Sequence, residues 1–255
     1  MKRFFFLPVF LCLILNLSAA PVFKSIDNDD LLLKAEQQVM SAFIQAKMKQ
    51  SPDEMKVLGK QYLNIYKTKK NKLAAYWYAY TCYYECIYHM GMEDNAAAKK
   101  TLKAGIAALS GLPDKNSEDH ALLASMQSLS IPLYASFQAI FISNKVKNNG
   151  EKALAMDPSN LRALLVLGSS DYYTPTQYGG GKKVEDYLLK AIKLPAQKIE
   201  NPYLPAWGKN TAYEILIRYY LREDRKEDAK AMFKAAKKVF PDDYQINSLA
   251  EKLID

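Results

Sequence analysis

The stretch from Asn160 to Pro195 constrains the fold of this chain more than any other, because it contains two apolar patterns of helical period joined by a loop rich in proline and glycine. The apolar positions are Leu164, Leu167 and Gly168 in the first pattern and Val184, Leu188 and Ala191 in the second. Each set falls on one face of a helix. A short helix buries such a stripe only against another element, so the stretch predicts two antiparallel helices that stack on neighbours of the same kind.

Helical periodicity continues along the rest of the chain, and no window alternates apolar and polar residues as a strand does. We expect helices over residues 27–49, from Ser51 onward, over 73–90, 95–109 and 121–156, and a loop at 113–116. Residues 121–156 are expected to contain one long helix or two, in which Pro132 predicts a kink and Asn148-Asn149-Gly150 predicts a break. The fold class is therefore all-α, with about 10 to 12 helices by count of the periodic segments.

The last third of the chain repeats its spacing. Tyr213, Leu216, Tyr220, Ala229, Phe233, Ala236 and Pro241 follow the pattern W-x2-L-G-x2-Y and A-x3-F-x2-A-x4-P, and residues 160–195 follow it with a longer loop. The chain resembles tetratricopeptide repeat (TPR) proteins, most closely over residues 150–255. The resemblance implies an α-solenoid of antiparallel helix pairs, in which small residues such as Gly168, Ala191, Ala229 and Ala236 let helices approach and Leu188, Tyr220 and Phe233 fill the space between them.

The N-terminus has the pattern of an export signal. Lys2 and Arg3 precede an uncharged apolar run from Phe4 to Leu15, which is too short to span a bilayer comfortably. We expect a signal peptide over residues 1–19, with cleavage after Ala19. The rest, 20–255, is expected to form a single helical-repeat domain, with irregular helix pairs over 27–156, clearer TPR units over 160–195 and 207–241, and a capping helix over 243–254. The mature protein is expected in the periplasm or secreted, without stable membrane insertion. Lipidation of Cys12 is disfavoured, because Leu11 precedes it.

Charge and cysteine content exclude several classes of function. The net charge of +8 is spread along the chain, and its densest basic run, Lys67 to Lys72, is interpreted as a solvated turn, so we expect no nucleic-acid partner. Cys82 and Cys86 lie one helical turn apart, where a disulfide would constrain almost nothing. Two buried thiols are the favoured interpretation. Neither residue has further ligands at metal-site spacing, so no metal or other cofactor is predicted.

Two features are candidates for binding. Between Tyr76 and Tyr88 lie six tyrosines and Trp77, too many for one face of a helix, so the stripe is either core or the lining of a concave groove. The loop with Pro175, Gly179, Gly180 and Gly181 lacks the spacing of a phosphate-binding loop and is interpreted as a structural turn that shapes one side of that groove. The candidate ligand- or partner-binding residues are Trp77, Tyr80, Tyr84, Tyr172, Tyr173 and Tyr178.

These features favour a non-enzymatic protein, since the chain has no nucleophile, metal or nucleotide motif and its two histidines, His89 and His120, stand far apart. Two hypotheses remain open. The first is an exported scaffold that binds an envelope protein or peptide on its concave helical face. The second is a small-ligand-binding accessory protein of a periplasmic transport system. A homo-oligomer is compatible with both.

Overall fold

The computed structural model describes residues 28–195 and 201–254, with side chains from Leu31 onward. The predicted signal peptide lies outside the described residues. The helices are α1 (Asn28–Leu33), α2 (Ala35–Lys49), α3 (Asp53–Lys69), α4 (Lys72–Gly91), α5 (Asn95–Ser110), α6 (Ser117–Ser130), α7 (Ser136–Met156), α8 (Leu161–Tyr173), α9 (Val184–Lys193), α10 (Lys209–Arg222), α11 (Lys226–Val239) and α12 (Tyr244–Asn247). Three 3-10 helices, Ile131–Leu133, Thr176–Tyr178 and Ala250–Leu253, join or follow them. The described ranges contain no strand, so the all-α prediction is confirmed.

The helices form two layers. The first layer consists of α2, α4, α6, α8 and α10, each of which contacts the next member of its own layer. The second layer consists of α3, α5, α7, α9 and α11. Each of the helices α3 to α9 in this layer packs against the first-layer helices before and after it, and α11 packs against α10 and α12. Because successive first-layer helices lie in mutual contact, the stack curves toward that side. We call the surface of the first layer the concave face.

Small residues set the distance between paired helices. A Cβ on Gly168 of α8 would lie 2.7 Å from Leu188 Cδ2 of α9, and one on Gly105 of α5 would lie 2.8 Å from Cys82 Cβ of α4. These contacts are shorter than carbon atoms tolerate, so only glycine permits this packing.

Three boundaries differ from the prediction. The expected break at Asn148-Asn149-Gly150 is wrong, since α7 runs through these residues. The glycine is needed there for packing, because a Cβ on Gly150 would lie 2.7 Å from Leu167 Cδ2 of α8. The expected helix 27–49 is interrupted at Lys34. The expected capping helix 243–254 is two short pieces, in which Ile246 and Leu249 are buried while Tyr244 is 79% exposed. At Pro132, where a kink was predicted, the helix α6 ends at Ser130 and a 3-10 turn follows.

The apolar core has two large parts. One is built by α1 to α6 and the other by α8 to α12. Trp207, in the loop before α10, packs against both. Among the described residues, no helix has both the length and the apolar character needed to cross a bilayer.

Candidate functional site

The aromatic helix α4 is the second helix of the first layer and contacts α2, α3, α5 and α6. Neighbours therefore surround most of its circumference, which is why aromatic side chains occur on more than one side of it. Tyr76, Trp77 and Tyr80 are almost fully buried, at 2%, 1% and 0% exposure. Tyr83 and Tyr84 are half-buried at the edge of the concave face. Trp77 and Tyr80 therefore belong to the core, whereas Tyr83 and Tyr84 lie at the edge of a groove.

A cluster of rings covers the first-layer surface between α2 and α4. Tyr84 contacts Phe43 of α2 edge-on at a centroid distance of 5.0 Å and Tyr80 at 5.0 Å. Trp207 stacks on Tyr80 at 5.4 Å with an interplanar angle of 27°. Edge-to-face and offset-stacked pairs of this kind are the favoured geometries of aromatic quadrupoles. Burial raises the pKa of the Tyr80 and Tyr84 hydroxyls above the ordinary tyrosine value, so these rings are neutral at physiological pH.

Trp207 belongs to residues 201–208, which we call the linker segment. This segment precedes α10 and lies across the concave face. The Ala206 N–H donates to Glu36 Oε2 of α2 at 2.6 Å, and the Trp207 indole N–H donates to the Tyr76 hydroxyl of α4 at 3.0 Å. Gly208 ends the segment at φ +106°, in the left-handed region that favours glycine. The linker segment is therefore held on the concave face by a charge-assisted hydrogen bond, a neutral one and a ring stack.

A buried ion pair lies beneath the linker segment. Arg162 of α8 is 1% exposed and donates two hydrogen bonds to Glu118 of α6, at 2.5 and 2.7 Å. The same guanidinium donates to the Trp207 carbonyl at 3.2 Å and lies 5.8 Å from the Trp207 ring centroid. Asn160 Nδ2 donates to Glu118 at 2.9 Å, which satisfies the carboxylate further. The pair thus joins α6 and α8 to the linker segment with every charge partnered, as burial requires.

An open edge of the concave face adjoins this cluster. Tyr173, the last residue of α8, is 69% exposed, and its hydroxyl lies near enough to Tyr83 of α4 to contribute to the raised pKa of Tyr83, which burial mainly causes. Glu214 and Arg218 of α10 also lie close enough to Tyr173 for their charges to act on its pKa, which burial mainly raises. Side chains of α4, α8 and α10 therefore approach one another over α6. A concave first layer produces this arrangement.

The glycine-rich loop after α8 is built around Arg222 of α10. The Arg222 guanidinium lies 4.4 Å from the Tyr172 ring centroid and donates to the Tyr172 carbonyl at 2.7 Å. Gly179 and Gly181 have φ of +88° and +85°, and a Cβ on Gly180 would lie 1.9 Å from the Thr174 carbonyl oxygen. The loop is thus a glycine-dependent turn.

The structure places the six candidate binding residues in three settings. Trp77 and Tyr80 lie under the linker segment, Tyr84 and Tyr173 lie at the open edge, and Tyr172 and Tyr178 lie in the loop region. Tyr178 is 72% exposed, and its described hydrogen bond, to the Pro175 carbonyl, stays within the loop. Sequence reasoning missed Glu36, Arg162 and Trp207. The one available signal was a tryptophan in a non-periodic Pro-Ala-Trp-Gly loop, since the chain has only two tryptophans.

Two small clefts lie in the described part of the chain. One has an empty volume of about 230 Å³ and lies between Leu33, Glu36, Trp77 and Leu204. The other has about 210 Å³ and lies between α5 and Tyr134. Pockets for drug-sized ligands start near ~300 Å³. Neither cleft therefore matches an enclosed site lined by Tyr80, Tyr84 and Tyr178.

Cys82 and Cys86 are free thiols with 5% and 0% exposure. Burial raises the pKa of both to about 12, so both stay protonated and unreactive at neutral pH. They act as small apolar residues where α4 meets α5, as the sequence indicated.

Comparisons with known proteins agree with this architecture. No protein-family model matches the sequence, and no curated protein matches it. Solved structures, however, are similar in fold. The HusA haemophore from Porphyromonas gingivalis aligns with a TM-score of 0.58 and 23% identity, over 72% of this chain and 92% of that chain. A thermophilic TPR protein from Thermus thermophilus aligns with a TM-score of 0.55 and 14% identity, over 86% of this chain and 98% of that chain. At these identities the likeness concerns the fold, and the chain has a TPR-like helical-repeat fold, as predicted.

Proposed function

We propose that this protein is a non-enzymatic, exported binding protein of the cell envelope, whose concave face holds an extended segment of a peptide or partner protein. The observation that carries the proposal is the linker segment, because Ala206 and Trp207 of the chain already lie on that face. Their contacts are of kinds that a bound peptide can also make: the Glu36 carboxylate accepts a backbone N–H, and the Trp207 ring stacks on the Tyr80 ring.

The surface beside the linker segment provides room for a partner. Tyr83, Tyr84 and Tyr173 border it with neutral, rigid rings, and Arg218 and Glu214 supply charge at the same edge. Tyrosine and arginine are the residue types over-represented among energetically important interface positions. A partner segment bound there would continue along the face that the linker segment begins to cover.

Site-specific photo-crosslinking in the native envelope tests this proposal. A benzophenone amino acid replaces Tyr173 on the concave face in one variant and Tyr244 on α12 in a matched control, since both side chains are at least 69% exposed. We expect a discrete crosslinked partner from position 173 and none from position 244. The same products from both positions, or products from 244 alone, would contradict binding on the concave face.

A second candidate function is the binding of a planar tetrapyrrole such as haem, as a small-ligand alternative to the scaffold. It is supported by the fold similarity to a haemophore and by the phenol cluster of Tyr83, Tyr84 and Tyr173, because tyrosine oxygen is one of the axial ligands that haem iron accepts. Such a ligand would lie on the open edge.

Titration with haemin distinguishes the two candidates. Saturable binding with a shifted Soret band, lost on Tyr84→Phe or Tyr173→Phe, would favour tetrapyrrole binding, above all if position 173 captures no partner protein. An unchanged spectrum would remove this candidate and leave the scaffold. Tyr244→Phe is the control, because Tyr244 is an exposed tyrosine on α12, outside the cluster of Tyr83, Tyr84 and Tyr173.

A further inference from the structure

A separate surface on the second layer has the composition of an interaction site. Phe137, Ile140 and Phe141 lie in the first two turns of α7 and are 69%, 64% and 68% exposed. Their spacing of three and four residues places them on one side of the helix. The opposite side carries Ile142, Val146 and Gly150, which pack into the protein. Three large apolar side chains therefore project outward together, which surfaces of monomeric proteins avoid without a function.

Positive charge borders these rings, and negative charge is missing from the same stretches. Lys145 follows Phe141 by one turn of α7 and is exposed, as is Lys103 of α5. Lys103 lines the cleft next to Tyr134, and Lys99 lies 4.9 Å above the Tyr134 ring. Neither residues 95–112 nor residues 121–150 contain an aspartate or glutamate. We call Phe137, Ile140, Phe141, Lys103 and Lys145 the apolar-basic patch.

The position of the patch narrows the choice of occupant. It lies on second-layer helices, hence on the convex side, and the cleft of about 210 Å³ that Lys103 lines in the described part of the chain is too small to enclose a peptide. A second copy of the chain, paired symmetrically through the patch, would bring like-charged lysines together at the interface. A lipid surface needs no shape complementarity. It accepts phenylalanine into its headgroup boundary and attracts flanking lysines when it is anionic.

We propose that the apolar-basic patch binds the protein peripherally to a membrane that contains anionic phospholipid. Phe137, Ile140 and Phe141 enter the boundary between headgroups and acyl chains, while Lys103 and Lys145 lie at the phosphate level. This binding uses the convex side and does not depend on the function proposed for the concave face. It allows a protein exported from the cytoplasm to stay at the membrane with its concave face open to a partner.

Vesicle co-sedimentation of the purified mature protein tests the proposal. We expect binding to vesicles of phosphatidylcholine with phosphatidylglycerol at a ratio of about three to one, weak binding to phosphatidylcholine alone, and loss of binding as salt is raised. Phe137→Ser combined with Phe141→Ser is expected to lower the partition coefficient at least about tenfold. Lys103→Glu combined with Lys145→Glu is expected to lower it by about the same factor or more.

Two control variants address other exposed sites. Lys67→Glu with Lys70→Glu changes a basic turn that lacks apolar neighbours, and Tyr244→Ser changes an exposed ring on α12. Both are expected to bind vesicles as the wild type does, and far-UV circular dichroism checks that every variant is folded. Equal binding to both vesicle types, or patch variants that bind like the wild type, would overturn the proposal and make an acidic protein the next occupant to test.

Discussion

Replacement of Trp207 tests whether the linker segment is anchored as the structure describes. Trp207→Phe keeps a ring over Tyr80 but removes the indole donor 3.0 Å from the Tyr76 hydroxyl, which belongs to a residue only 2% exposed. Leaving a buried hydroxyl without that partner costs about 1–2 kcal/mol. Trp207→Ala also loses the stack on Tyr80, worth about 0.5–1.5 kcal/mol, and the contact with the Arg162 guanidinium, worth about 0.5–1 kcal/mol.

The expected loss for Trp207→Ala is therefore about 3 kcal/mol in the free energy of unfolding. This lies at the lower end of the range of ~3–5 kcal/mol for large buried aromatics, because Trp207 is only half-buried. Urea unfolding followed by far-UV circular dichroism gives the value. Tyr203→Ala, an exposed change in the same segment, is the control and should stay within about 0.5 kcal/mol of wild type. If Trp207→Ala also stays within that margin, the linker segment is not anchored on the concave face.

Three further predictions concern the scaffold. Gly168→Ala is expected to lower stability by about 1–3 kcal/mol, because the added Cβ would clash with Leu188. Gly91→Ala is the control and should be neutral or stabilising, because no atom lies within 4 Å of a Cβ added there. Equal thermal midpoints for the two variants would contradict the close approach of α8 and α9. Arg162→Met is expected to cost about 3–5 kcal/mol by leaving Glu118 buried without its cation, and a loss below ~1 kcal/mol in urea unfolding would refute that role. Hydrogen bonds from Arg225 and Tyr220 hold the pKa of Glu185 below its ordinary value, so Glu185 contributes stability above pH ~4.3 that is lost as pH falls through its folded pKa. The free energies of unfolding of wild type and Glu185→Gln should thus differ by about 1 kcal/mol at pH 7 and become equal in acid. A difference that stays constant with pH would contradict the pairing of Glu185 with Arg225 and Tyr220.

The helix pairs could be predicted because their determinants are local. Leu188 and Ala191 repeat at helical period within α9, and both are fully buried against neighbouring helices. The expected break at Gly150 failed because Asn-Asn-Gly favours a turn locally, while tertiary packing needs the glycine inside a helix. Asn149 there donates to Gln127 of α6 and contacts His120, which also holds α7 in register.

The site was less predictable because its contacts are remote in sequence. Trp207 and Tyr76 are 131 positions apart, and Ala206 and Glu36 are 170 apart. A docked loop has no periodicity, so the residues of the linker segment gave no signal of what they contact. The sequence located the aromatic helix α4 but left open which rings it buries. Packing answers that question, since Trp77 and Tyr80 face neighbours on several sides while Tyr84 lies at the edge.

The exchange rate of the Trp207 indole proton measures the central claim most directly, because the claim is that the concave face binds a partner segment and already holds the linker segment. The chain has two tryptophans, so its NMR spectrum has two indole N–H signals, and Trp77→Phe assigns them. The Trp207 proton is expected to exchange far more slowly than a solvent-exposed indole, and Tyr76→Phe should accelerate it while the helix amides keep their protection. Exchange of the Trp207 proton at the rate of a free indole in the wild type would contradict the docking of the linker segment.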